Sequence, residues 1–334
     1  MKTIKQNQPV VATALLGLGV HRASRLVTNE EICETLDSSD EWIQSRSGIK
    51  TRRFAADDES LLDMATAAGA KALSAAGVSA DQLGCVIVAT STYSQHTPAA
   101  APQVADRLGS TAASFDVSAG CAGFCHAVGV ASDLVRGGTA SHVLVIGVEQ
   151  LSRFMDPTDR STAFIFADGA GAVVVGPSDV PGIGPVAWGS DGSQAHVITQ
   201  TPDCRAVTAG HGPVVQMEGT AVFRWAPFAM AKVAREAVDR AGLEMEDLDA
   251  FVPHQANLRI TDTLSRNLKL PEGVAVARDV VDAGNTSAAS VPLAIEAMLR
   301  GGEVKAGDHA LLIAFGAGLS YAAQVVALPP LAEA

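Results

Sequence analysis

Short apolar runs recur along the chain, separated by stretches with helical spacing. Residues 10–20, 143–148, 250–252 and 310–315 form such runs, each close to continuously apolar. That is the signature of strands buried on both faces. Between them lie Ala-rich segments with apolar residues three or four apart, as at Val128, Ala131 and Leu134. The order strand, helix, strand, helix, strand predicts an α/β protein with mainly parallel sheets covered by helices.

The order occurs twice. Ala-Gly-Val-Ser-Ala-Asp-Gln-Leu begins at Ala76, and Ala-Gly-Leu-Glu-Met-Glu-Asp-Leu begins at Ala241, 165 residues later. Ala119-Gly120-Cys121 is echoed by Ala283-Gly284-Asn285, and Leu134 to Gly138 by Met298 to Gly302, both at an offset of 164. Three matches in one order at nearly one spacing point to an internal duplication. A Gly- and Pro-rich stretch from Gly176 to Gly182 reads as the linker. The expected division is an N-terminal half, 1–178, and a C-terminal half, 179–334.

Composition narrows the function classes. A chain of 334 residues, nearly half of them apolar, suits two packed halves of ordinary globular type. A net charge of −12 argues against broad nucleic-acid or anionic-membrane binding. The five cysteines, Cys33, Cys85, Cys121, Cys125 and Cys204, show neither zinc-ligand spacing nor a dense disulfide framework. A reducing cytoplasm is therefore expected. Lys2 and Lys5 before the first apolar run loosely resemble a signal peptide. That run leads into His21 and Arg22 without a small-residue cleavage site, is too short to span a bilayer, and reads as a first buried strand.

The repeat also places chemistry. Cys121 and Asn285 stand at equivalent points where a Gly-bearing turn enters a helix, and His254 directly follows the 250–252 strand. In parallel sheets, ligands gather beyond the C-terminal ends of strands. A thiol at a helix start is expected to have a lowered pKa. The plain alternative for a free cysteine is a small buried hydrophobe, the role expected of Cys85 and Cys125. A neutral His254 imidazole is suited to hydrogen-bond a developing oxyanion. Asn285 alone would be an ordinary helix cap. The turns at Asp168–Ala172 and Phe315-Gly316-Ala317-Gly318 match no Walker or dinucleotide loop and read as close backbone packing. The second is also placed to offer an N–H to an oxyanion.

These residues together resemble the β-ketoacyl-[acyl-carrier-protein] synthase III family of thiolase-fold condensing enzymes. The resemblance spans nearly the whole chain. It rests on Asp37-Ser38-Ser39-Asp40-Glu41-Trp42-Ile43, Arg46-Ser47-Gly48-Ile49, Gly120-Cys121-Ala122-Gly123-Phe124, Asp156-Pro157-Thr158-Asp159-Arg160, His254-Gln255-Ala256-Asn257 and Gly284-Asn285-Thr286-Ser287. It implies a duplicated αβαβα architecture and a homodimer. It implies a nucleophilic Cys121 that takes an acyl group from acyl-CoA, with no cofactor and no metal. Malonyl-acyl-carrier-protein then loses CO2, and its carbanion attacks the acyl-enzyme. His254 and Asn285 would stabilise the enolate, and the N–H groups of Cys121 and Ala317 would form the oxyanion hole. Trp42, Arg46, Arg160, Gly219, Thr220, Phe223 and Asn257 would bind coenzyme A. Leu151, Phe166, Ile198, Val215 and Phe315 would wall the acyl pocket.

Ser161 stands where the family often has glycine, Thr220 where well-known members have asparagine, and Ala317 lies within a glycine-rich turn. A related priming enzyme for polyketides or other secondary metabolites remains the nearest alternative. A Cys-His-Asn hydrolase is disfavoured because papain-type flanking residues are absent. A non-catalytic acyl-binding protein has no need of the full trio. The acidic carrier protein would dock on Arg224, Arg259 and Arg266. The last two are seven apart on a helix predicted over 255–269 and so share a face.

In the family, a segment matching residues 90–98 reaches the partner's acyl pocket, and its tip matches Thr97. A threonine in place of a blocking phenylalanine leaves the pocket long, and each buried methylene contributes about 0.8 kcal/mol. Isobutyryl-, isovaleryl- or butyryl-CoA should serve at least as well as acetyl-CoA. Thr97→Phe should shift kcat/KM back towards acetyl; a strong wild-type preference for acetyl would refute the open pocket.

Overall fold

In a computed structural model of the chain, which describes residues 12–202, 206–207 and 212–331, the apolar runs become strands of two sheets. Lys2, Lys5 and Cys204 lie outside the described residues. The first half holds β1 (Thr13–Arg22), β2 (Arg25–Thr28), β3 (Thr51–Phe54), β4 (Leu83–Ala89), β5 (Ala113–Val117), β6 (His142–Gln150) and β7 (Asp168–Pro177). The second holds β8 (Ala187–Ser190), β9 (Ile198–Thr201), β10 (Val214–Met217), β11 (Ala250–Pro253), β12 (Ala275–Val276), β13 (His309–Gly316) and β14 (Ser320–Ala327).

The two sheets have one topology. Their orders are β1-β7-β6-β4-β5 and β8-β14-β13-β11-β12. In each, the β4/β5/β6 or β11/β12/β13 trio is parallel, and β7 or β14 runs against its neighbours on both sides. Four strands of each five therefore point the same way, with helices as crossovers between parallel neighbours. β2 and β3 pair as a side ribbon, as do β9 and β10.

Period-two alternation sorts the strand side chains between layers. Cys85 and Ile87 of β4 and Ala310 and Leu312 of β13 face a shared central core. That core is filled by the helices Gly123–Arg136 and Ser290–Gly301. Val86 and Val88 face the outer helices Leu61–Ala76 and Ala100–Arg107. Leu311 and Ile313 face Gly219–Ala241 and Leu258–Leu268. The result is helix, sheet, helix, sheet, helix in layers. Local signals set the helix ends: Ser60 and Asp63 form a capping box ahead of Leu61–Ala76, and Gly77 stops it at φ 62°.

Some boundaries differ from the sequence reading. β1 extends through His21 and Arg22 because they keep pairing with β7. β7 absorbs Gly176 and Pro177 before the linker begins. The helix predicted over 255–269 starts at Leu258, because Asn257 caps it by accepting the Ile260 N–H at 3.1 Å. Among the described residues, no helix is long and apolar enough to cross a membrane.

The halves approach at backbone distance. A Cβ at Gly147 of β6 would lie 2.3 Å from the Ala288 carbonyl oxygen of the other half. Gly147→Ala should destabilise the protein by about 1–3 kcal/mol through overpacking, lowering Tm by several degrees in calorimetry. An unchanged Tm would show that the two halves can separate locally without cost.

Candidate active site

Four turns meet where parallel strands end. After β5 the chain forms one tight turn, Gly120–Ala122, before the Gly123–Arg136 helix, and Cys121 sits in it. His254 leaves β11, its N–H donating to the Ile313 carbonyl at 2.7 Å. Ala317 follows β13. Asn285 follows the short helix Val280–Ala283 and Gly284, whose φ of 69° and missing Cβ (2.9 Å from Arg52 Cβ if present) are both needed there. The Asn285 N–H donates to Ile165 O, and its carbonyl accepts from Ala167 N–H, each at 2.9 Å.

Cys121, His254, Asn285 and Ala317 line one cavity of about 320 Å³. Leu151, Phe166, Ile198, Val215 and Phe315 are among its apolar lining. A Cβ on Gly316 would lie 2.6 Å from the Cys121 nitrogen, and one on Gly120 2.9 Å from the Ala317 nitrogen. The two turns thus hold the Cys121 and Ala317 amides close together. Among the described residues, only Lys269 and Ser287 are non-glycines with positive φ, so Ala317 sits in its turn without left-handed strain.

Hydrogen bonds orient the polar groups. Asn285 Oδ1 accepts the Ser287 N–H at 2.9 Å, which leaves the Asn285 NH2 for the cavity. His254 Nδ1 lies 2.7 Å from Ser290 Oγ, which accepts the Gln255 N–H. With the Ser290 hydrogen given to Nδ1, the ring hydrogen sits on Nε2. Phe315 packs edge-on to the ring at 5.5 Å.

Electrostatics correct one expectation. Burial pushes the Cys121 thiol up to about 12, with Glu149 acting the same way and the Ser287 hydroxyl opposing. Desolvation of the thiolate acts against the lowering expected from the helix start. Burial also pushes His254 down to about 3, so the imidazole is neutral.

A second cavity of about 400 Å³ adjoins the first, sharing Met217, Val222, Ala256 and Asn285 with it. Its lining holds Trp42, Arg46, Arg160, Gly219, Thr220, Phe223 and Asn257 together. The Arg160 guanidinium lies 4.6 Å from the Trp42 ring, and that of Arg46 5.6 Å. Ser161 also lines this cavity, its hydroxyl held by the Asp159 carboxylate at 2.7–2.8 Å. Arg224, Arg259 and Arg266 are exposed and form no ion pair among the described residues; Arg259 lies over Phe223 at 5.1 Å. Thr97 is exposed and does not line the cavity of its own chain. Among the described residues no three His, Cys, Asp or Glu side chains are grouped to hold a metal.

Sequence reasoning gave no role to Glu149, Ser287 or Ser290. For Glu149 a signal was present: a carboxylate directly after the apolar run Val143–Val148, near the C-terminal end of β6.

Residues 115–192 match the family model described as 3-oxoacyl-[acyl-carrier-protein] synthase III, and residues 238–328 match that family's C-terminal model. The mycobacterial β-ketoacyl-[acyl-carrier-protein] synthase III of Mycobacterium avium is 54% identical, over 99% of this chain and 100% of its own. The β-ketoacyl-[acyl-carrier-protein] synthase III of Streptomyces glaucescens is 55% identical, over 98% of this chain and 100% of its own. Among solved structures, the priming β-ketosynthase of the R1128 polyketide biosynthetic pathway superposes with a TM-score of 0.95 at 46% identity, covering 98% of this chain and 99% of that one.

The high thiol pKa is open to direct titration. The thiolate ultraviolet absorbance of wild type minus that of Cys121→Ser should show no titration step between about pH 6 and about pH 9. A step near the ordinary cysteine value would mean that desolvation does not dominate at this site.

Proposed function

The chain belongs to the 3-oxoacyl-[acyl-carrier-protein] synthase III family, and on that premise we propose how its own residues carry the reaction. It is an acyltransferase that condenses an acyl-CoA primer with malonyl-acyl-carrier-protein. CO2 is lost, and the β-ketoacyl-carrier-protein that starts fatty acid synthesis is formed.

In this reading Cys121 Sγ attacks the primer thioester and becomes acylated. The oxyanion of that step lies between the Cys121 and Ala317 N–H groups, which the Gly120 and Gly316 turns hold side by side. Malonyl-carrier-protein then enters from the neighbouring cavity. As its carboxylate leaves as CO2, the enolate oxygen takes hydrogen bonds from His254 Nε2 and the Asn285 NH2. The carbanion attacks the acyl carbon, and Cys121 Sγ is released. A neutral imidazole suits this role, because it donates a hydrogen bond without surrendering its proton. The observation that carries the reading is the convergence of Cys121, His254 and Asn285 on one apolar cavity, joined to a second cavity lined by an indole and guanidinium groups.

Trp42 and Arg160 grip the adenine of coenzyme A, with Arg46, Gly219, Thr220, Phe223 and Asn257 along its path. A flat ring between indole and guanidinium needs about 7 Å, two van der Waals layers. Arg160 sits 4.6 Å from Trp42 and so swings outward on binding. Arg224, Arg259 and Arg266 dock the acidic carrier protein. The working form is a homodimer, supported by the edge strand β5 with its exposed Phe115 and by the exposed segment around Thr97. The halves meet at 178/179, the enzyme works in the cytoplasm, and the chemistry asks for no cofactor. Similarity to the R1128 priming ketosynthase favours a second reading, in which the same reaction primes a polyketide.

Incubation with a mass-tagged acyl-CoA should label Cys121 in wild type, His254→Ala and Asn285→Ala. Both variants should lose malonyl decarboxylation by about 10²–10³-fold. An adduct elsewhere would refute Cys121, and equal loss of both half-reactions would refute the division of labour.

A further inference from the structure

Gly147 and Glu149 share one face of β6, the face that Val143 and Val145 turn into the central layer. Both meet the turn that follows Asn285. Gly147 leaves room for the Ala288 carbonyl, and the Glu149 carboxylate accepts a hydrogen bond from Ser287 Oγ at 3.0 Å. Glu149 has no exposed surface. Its other partners come from the stretch after β4. Thr92 Oγ1 donates at 2.5 Å, Ser91 Oγ at 3.0 Å and Thr90 Oγ1 at 3.3 Å, and the Ser91 N–H reaches both carboxylate oxygens at 3.2–3.3 Å. Ser91, Asn285 and Ser287 all line the catalytic cavity. The carboxylate therefore ties one wall of that cavity to the turn carrying Asn285.

Ser287 is the joint of this turn. Its N–H donates to Asn285 Oδ1 at 2.9 Å, the bond that leaves the Asn285 NH2 for the cavity. Its φ is 48°, a left-handed backbone that serine keeps only where its surroundings hold it.

We propose that Glu149 is a positioning residue for Asn285: by fixing the Ser287 hydroxyl it keeps Ser287 left-handed, the Ser287 N–H on Asn285 Oδ1, and the Asn285 NH2 towards the enolate. The inference rests on the donor role given to Asn285 above. Without that N–H the amide is free to rotate, and its oxygen then faces the enolate and repels it. Glutamine at position 149 is no substitute. The Ser91 N–H reaches both oxygens, so a glutamine NH2 meets that N–H whichever way the amide is turned. The hold acts on decarboxylation and not on acylation, because the Gly120 and Gly316 turns set the acylation oxyanion hole without Ser287.

The test measures the half-reactions separately on the whole chain: Cys121 acylation by butyryl-CoA through intact mass, and CO2 release from malonyl-carrier-protein. Glu149→Gln is expected to lose about 10–10²-fold in kcat for decarboxylation, with KM for malonyl-carrier-protein and the acylation rate within about threefold of wild type. Ser287→Ala loses the hydroxyl yet still needs left-handed backbone, so it should show the same split. Ser287→Gly adopts that backbone without strain and should decarboxylate at least about threefold faster than Ser287→Ala. A wild-type decarboxylation rate in Glu149→Gln, or equal loss of both half-reactions, overturns the positioning role. Should Glu149→Gln fail to fold, the order of the two Ser287 variants decides, and equal rates overturn it. Asn285→Ala tests the premise. If that variant decarboxylates as wild type does, the donor assignment falls and the positioning role with it; if it alone loses decarboxylation, only the positioning role falls.

Discussion

Backbone contact between the two halves is the constraint on which the site depends. Glycine at Gly120 and Gly316 lets two turns, nearly two hundred residues apart in sequence, pack with the Cys121 and Ala317 amides adjacent. Gly147 and Ala288 repeat that closeness one layer deeper. Arg22 of β1 adds a polar tie, with its guanidinium 3.1 Å from Asp279, 3.0 Å from Glu296 and 3.0 Å from the Leu293 carbonyl. Oxyanion geometry tolerates errors of only a few tenths of an ångström, and backbone packed on backbone is the stiffest way to hold it.

The same closeness makes the site dry, and dryness sets its electrostatics. Burial disfavours charge on Cys121, Glu149 and His254 alike. In the proposed chemistry the stabilising falls to neutral donors with fixed directions: the Asn285 amide, oriented by the Ser287 N–H, and the His254 ring, oriented by Ser290 and Phe315. Such preorganised dipoles cost no reorganisation during reaction and strengthen in a low-dielectric pocket. The buried Glu149 carboxylate is satisfied by five groups, four from residues 90–92 and one from Ser287 of the facing half.

Pseudo-symmetry links fold to chemistry. Each half delivers a Gly-bearing turn at the start of a central helix, one carrying Cys121 and the other Asn285. The shared helix layer brings both helix starts to one end of the molecule. The second half then adds His254 and Ala317 from the ends of β11 and β13. A duplicated scaffold thus presents Cys121 and Asn285 to one cavity from equivalent positions.

The sequence by itself determined the α/β layering and the duplication, and it singled out Cys121, His254 and Asn285, which the fold brings to one cavity. Those features lie in local period and in repeated motifs, which survive in one dimension. Strand runs such as 143–148 and 310–315 were legible because burial on both faces makes them continuously apolar. Tertiary structure alone decided the rest. The helix-start argument for a low Cys121 pKa was local, whereas desolvation sums over atoms brought in from both halves and acts in the opposite direction. Ser290 became an orienting partner of His254, and Ser287 a hydrogen-bond partner of Glu149. Each role is defined by a residue distant in sequence, and no periodicity encodes such a contact.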